Sequence, residues 1–123
     1  MNKNSIVTES KNFIEFYYNC INNYNFIKIM PYIKKHTNYK FNDKLLKGGD
    51  IINYFNLIKN KNIKFKLSSF NYLNSGDRRM NLLIICDIYS NGTNTNKKMC
   101  EFLHIGKDKN KQFWIVSCIS KII

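Results

Sequence analysis

The chain has 123 residues and a mass of 14.7 kDa, with 20 Lys+Arg against 8 Asp+Glu, a formal net charge of +12, 44% hydrophobic residues and a single proline. That length is one domain's worth, so residues 1–123 are expected to form a single domain, and nine Phe with eight Tyr are too much apolar surface for a disordered basic tail. No run approaches the ~20 apolar residues that span a bilayer and Met1 to Ser10 is polar, so a soluble intracellular protein with no membrane insertion is expected.

The charge is almost all lysine: Arg78 and Arg79 are the only arginines, alanine is absent, and asparagine and isoleucine abound. These residues share A/T-rich codons, which points to an A/T-biased genome and weakens any step from charge to nucleic acid. Cys20, Cys86, Cys100 and Cys118 lie 66, 14 and 18 apart, which is neither a zinc spacing nor a disulfide scaffold. They read as reduced, mostly buried thiols.

Along the chain, Phe13, Phe16, Tyr17, Cys20, Ile21 and Tyr24 recur on one helical face, predicting an amphipathic helix from an N-cap at Thr8 to an exit at Asn22-Asn23. A short second helix is expected over residues 25–33, with Pro31 ending or kinking it. Residues 36–47 read as two extended pieces joined by an Asn42-Asp43 turn. Gly48-Gly49-Asp50 then opens a third helix with the face Ile51, Ile52, Phe55 and Ile58.

Everything after residue 62 reads as antiparallel sheet. Ile63, Phe65 and Leu67 alternate with polar residues until the phase slips at Ser68-Ser69, as at a bulge. A turn at Asn74-Ser75-Gly76-Asp77 leads to a strand over 80–89 that is apolar on both faces. Asn91-Gly92 signals a hairpin, followed by strands over 99–105 and 113–119 separated by a lysine-rich turn at 106–112. The expected architecture is α+β: three N-terminal helices packed on one face of a curved antiparallel sheet. The apolar residues on the other face then need a partner, which predicts a dimer.

The layout resembles the nuclear transport factor 2-like family, the cone-shaped fold shared by nuclear transport factors and ketosteroid isomerase-type enzymes. Three motifs carry the resemblance: Phe13-Ile14-Glu15-Phe16-Tyr17-Tyr18 in the first helix, Leu46-Lys47-Gly48 with Ile52 before and in the third, and Trp114-Ile115-Val116 in the last strand. The resemblance implies a non-enzymatic adaptor in nucleocytoplasmic transport, in the cytoplasm, the nucleus and the pores of the nuclear envelope. Implied partners are phenylalanine-glycine repeats of nucleoporins, with Ran-GDP in one branch and the mRNA export receptor in another, the dimer being with itself or with a related chain.

By the same resemblance, a pocket at the cone's mouth takes an aromatic side chain of the partner. Phe41, Asn42, Asp43, Ile58, Ile63, Met99 and Trp114 are carried over as that partner-binding pocket, and Leu83, Ile85, Phe102 and Ile115 as the dimer face. The carboxylates that ring this mouth in the Ran-binding branch are largely missing, since a rim glutamate falls at Asn42 and the acidic hairpin tip at the acid-free residues 91–96. That shortage argues against conventional Ran binding.

Two rival functions have named residues. A pocket enzyme or small-ligand binder of the isomerase type would use Asp87 as a base with Tyr17 or Tyr18, and His104, although Asp87 facing solvent is the simpler reading. A basic RNA-associated module would use Lys59, Lys61, Lys64, Lys66, Lys97, Lys98, Lys107, Lys109 and Lys111 for weak, salt-dependent RNA contact, although a solvated lysine face is the simpler reading. His36 and His104 lack ligand neighbours, so neither a metal nor a cofactor is expected, and no catalytic residue is assigned.

Overall fold

The computed structural model describes residues 3–47, 49–74, 79–110 and 112–123. The chain runs α1 (Lys3–Asn22), two 3-10 turns (Phe26–Lys28 and Met30–Tyr32), β1 (Ile33–Phe41), β2 (Lys44–Leu46), α2 (Gly49–Asn60), β3 (Ile63–Asn74), β4 (Arg79–Ser90), β5 (Thr93–Lys107) and β6 (Phe113–Ile122). The strands form one curved sheet in the order β2-β1-β6-β5-β4-β3. All neighbours are antiparallel except β1 and β6, which run parallel, with Tyr39 opposite Cys118 and Phe41 opposite Ser120. The α+β cone expected from the sequence is the fold observed, with that one parallel pairing added.

The first helix starts at Lys3, not at Thr8, because no Gly or Pro in residues 3–10 stops it from extending toward the N-terminus. It stops at Asn22, as expected, and Tyr24 turns the chain at φ 59. The expected second helix is replaced by the two 3-10 turns: Pro31 in its middle has no N–H to continue an α-helical ladder. In α2, Ile51, Phe55 and Ile58 face inward, while Ile52 lies off that stripe and is 47% exposed. Gly48 and the turn expected at 74–77 fall wholly or mostly outside the described residues.

Two tight hairpins shape the sheet. Asn42 and Asp43 (φ 47 and 69) join β1 to β2, and Asn91 and Gly92 (φ 52 and 80) join β4 to β5, in the double left-handed geometry that matches strand twist. Pairing continues from that second hairpin as Ser90 opposite Thr93, so β5 is much longer than its apolar stretch suggests. Register shifts at Leu67/Ser69, Asp87/Tyr89 and His104/Ile105 bend the sheet, the first falling at the Ser68-Ser69 slip read from the sequence.

The inward parity of β4, β5 and β6 places Leu82, Ile84, Cys86, Leu103, Ile105, Ile115 and Cys118 under Ile14, Tyr17, Tyr18 and Ile21 of α1, all buried. Asn22 also closes part of an edge: its side chain accepts from the Phe65 N–H and donates to the Phe65 carbonyl, both at 2.8 Å, pairing β3 where no strand does. Among the described residues no helix is long and apolar enough to cross a membrane.

Candidate functional site

The concave side of the cone opens at the ends of β1, β4, β5 and β6 nearest α2. There Phe41, Tyr54, Leu57, Ile58, Lys61, Ile63, Phe65, Ile88, Met99 and Ile122 line a cavity of about 180 Å³. The Phe41 and Tyr54 rings sit 5.0 Å apart on its wall. Four of the expected pocket residues, Phe41, Ile58, Ile63 and Met99, are therefore brought together.

The other three are not on the lining. Asn42 spends its side chain on structure: its Oδ1 accepts from the Ile122 N–H at 2.9 Å, which holds Ile122 at the mouth. Asp43 is exposed and lies 3.9 Å from the Lys121 ammonium. Trp114 sits at the opposite end of the sheet, on its outer face, packed over Gly106, with the Arg79 guanidinium 5.9 Å from its ring centroid. Tyr54, Leu57, Lys61, Phe65, Ile88 and Ile122 are lining residues that sequence reasoning missed. Leu57 and Lys61 flank Ile58 at the C-terminal end of α2 and just beyond it, which is the signal that could have found them.

Below the pocket lies a polar cluster that was also missed. Glu101 is buried on the inward parity of β5, accepting from the Tyr18 hydroxyl at 2.5 Å and from the Ser120 hydroxyl at 2.7 Å. The Tyr17 and Tyr39 hydroxyls share a 2.8 Å hydrogen bond beside Cys118. Burial raises the Glu101 carboxyl above its usual range, against the hydrogen bonds from Tyr18, Ser120 and Cys118 that pull it down. Burial likewise raises the phenols of Tyr17, Tyr18 and Tyr39, and it pushes the Cys86 thiol, with Glu101 nearby, up to about 12. An acid at the inward position between Met99 and Leu103, in a chain with 8 acids, was the available clue.

The outer face of the sheet carries the expected dimer residues with one correction. Leu83 lies opposite Phe102, which lies opposite Ile119, while Ile85 lies opposite Cys100, giving a partly exposed apolar band in which Ile119 is 46% exposed. Ile115 is not part of it: its side chain is inward and fully buried, and its carbonyl accepts from the Thr37 hydroxyl. Next to the band, Asn81 and His104 are register partners, and Asn81 Oδ1 and His104 Nε2 are both buried without a hydrogen-bond partner. Burial, with Arg79 second, lowers the His104 pKa.

The enzyme candidates separate. Asp87 points to the outer face in a 2.8 Å ion pair with Lys98, away from Tyr17 and Tyr18 inside the cone. The lysines also disperse: Lys64 and Lys66 project from the outer side of β3, Lys98 is paired to Asp87, Lys107 is held by Glu9 at 3.2 Å, and Lys111 lies outside the described residues. Among the described residues no His, Cys, Asp and Glu cluster could hold a metal ion. A shallow cleft of about 440 Å³ lies elsewhere, between α1 and the start of β6, walled by Phe13, Phe16, Tyr32 and Phe113 beside the Glu9–Lys107 pair.

Comparison with known proteins agrees with this geometry. No curated protein sequence matches the chain. Among solved structures, nuclear transport factor 2 from Cryptosporidium parvum is similar at 16% identity and TM-score 0.79, over 92% of this chain and 90% of that one. The yeast UBP3-associated protein BRE5 is similar at 17% identity and TM-score 0.76, over 93% of both chains. A chain of the structure described as the yeast deubiquitinase Ubp3 and Bre5 cofactor complex is similar at 14% identity and TM-score 0.74, over 96% of both chains. At these identities the likeness is one of fold. The nuclear transport factor 2 (NTF2) domain model matches residues 9–121, nearly the whole cone from α1 to β6, and the chain belongs to that family.

Proposed function

We propose that the chain is a non-enzymatic, dimeric adaptor in nucleocytoplasmic transport, working between cytoplasm and nucleus at the pores of the nuclear envelope. The cone-mouth pocket carries this reading. Its lining is aliphatic and aromatic apart from the Tyr54 hydroxyl and Lys61, and at about 180 Å³ it is smaller than the ~300–1,000 Å³ of ordinary small-molecule sites. It suits one bulky side chain of a protein partner, which gains by leaving water. Glu101, the buried carboxylate nearest to it, already accepts from Tyr18 and Ser120 and is not on the lining, so it is not placed as a general base.

Two further surfaces support an adaptor. The aromatic cleft beside α1 suits phenylalanine-glycine repeats of nucleoporins. The apolar band of Leu83, Ile85, Phe102 and Ile119, with Asn81 and His104 left unsatisfied beside it, suits a second chain of the same fold that covers it and completes their hydrogen bonds. With no acid at Asn42 or in residues 91–96, the export-receptor type of partner fits better than Ran-GDP. The test is a pull-down with GDP- and GTP-loaded Ran, the mRNA export receptor and phenylalanine-glycine peptides. Capture of one or more is expected, and binding to none overturns the transport assignment.

A further inference from the structure

Resting on the reading that the cone-mouth pocket docks a partner's side chain, we infer that the segment it accepts is acidic: a Phe or Leu flanked by Asp and Glu. The charges around the mouth carry this. Lys61 lines the pocket, is exposed, and has no ion pair among the described residues. Lys44 is the register partner of Phe41, so its exposed side chain leaves the sheet on the same face as that pocket wall. Lys121 does not belong to this rim: its register partner is Cys100, so it leaves the sheet on the outer face, beside the exposed Asp43. Two lysines thus stand at an apolar mouth, and among the described residues no carboxylate lines it.

An apolar side chain entering there brings its neighbouring residues past Lys44 and Lys61. Acidic neighbours would be attracted and steered in, whereas basic neighbours would meet like charge at close range. The cavity selects the central residue and the lysines select what flanks it. A free small molecule is the poorer occupant, because the cavity is below the usual ligand size.

Short fluorescein-labelled peptides test this by anisotropy: a central Phe flanked by Asp and Glu, the same Phe flanked by Lys, and the acidic peptide with Ala at its centre. The acidic Phe peptide should bind, more weakly as salt rises, and Lys61→Glu should weaken it about fivefold or more, as expected for reversing one exposed charge. Lys44→Glu gives an independent second reading of the same rim. Lys35→Glu, an equal change in net charge on an exposed residue at the far end of β1, should leave binding unchanged. Equal or tighter binding of the lysine-flanked peptide, or indifference to both rim variants, overturns the acidic assignment while leaving the docking pocket in place. Equal binding of the Ala-centred peptide overturns the role of the cavity. Failure of both Phe peptides to bind overturns the docking reading itself, and this proposal with it.

Discussion

The Tyr18 hydroxyl donates a 2.5 Å hydrogen bond to Glu101, tying the middle of α1 to the middle of β5 through the interior. Because burial raises the Glu101 carboxyl above its ordinary value of 4.5, the folded chain holds that proton more tightly than the unfolded chain does. The associated stability is complete below the unfolded value and is lost as pH rises from about 4.5 through the raised folded value. Glu101→Gln keeps the volume and cannot ionise. Its melting temperature should fall less than that of the parent chain as pH rises through this window, and parallel curves would show that ionisation of Glu101 costs nothing.

Removing the donor tests the same contact from the other side. Tyr18→Phe leaves one Glu101 oxygen without its buried donor and should cost about 1–3 kcal/mol in urea unfolding at neutral pH. The loss should shrink in the Glu101→Gln background, since the two residues are directly coupled. Additive losses would mean that the hydrogen bond contributes little.

His104 predicts an opposite pH response. Its pKa is lowered by burial and by Arg79, so the folded state favours the neutral ring and stability is lost as pH falls from the ordinary value of 6.5 toward the lowered one. If a second copy covers this face, self-association measured by sedimentation should weaken over that same interval, and His104→Gln should flatten the response. Leu83→Asp should give a folded monomer at neutral pH. A Leu83→Asp chain that still sediments as a dimer would place the interface elsewhere.

Gly106 is needed for a close approach and not for its backbone angle. A Cβ there would lie 2.7 Å from Trp114 Nε1 and 3.1 Å from Val116 Cγ2, contacts that require the indole to move. Gly106→Ala should therefore lower stability by about 1–3 kcal/mol, as overpacking commonly does. Adding Trp114→Leu should recover part of that loss, and no recovery would show that the strain lies in the strand backbone.

Much of the fold was legible where local chemistry is decisive. Asn91-Gly92 and Asn42-Asp43 demand left-handed turns, and the Ser68-Ser69 slip shows in the alternation itself. What was not legible depends on partners distant in sequence. The run Phe113-Trp114-Ile115-Val116 is apolar at every position, so alternation cannot say which residue faces in, and Trp114 and Ile115 were assigned to faces opposite to those observed. The register shift beside them, with Ile105 opposite Ile115 but His104 opposite Ser117, is set by strand pairing that no local signal records. Likewise Glu101 shows its inward role only once its register with Ile84 is known. Four of the seven pocket residues came together because they sit at element ends that converge on one rim.

The parallel pairing of β1 with β6 has a kinetic consequence. β6 lies between β1 and β5, so the hairpin of β1 and β2 joins the rest of the sheet only through residues 113–122, some eighty positions later in the chain. During synthesis α1, β1 and β2 leave the ribosome well before the strand that must seat them, and the sheet cannot close until Phe113–Ile122 has emerged from the exit tunnel. Until then Tyr39 and the inner face of α1 are without their β6 neighbours, and the nascent chain has its greatest need of chaperone protection in that interval.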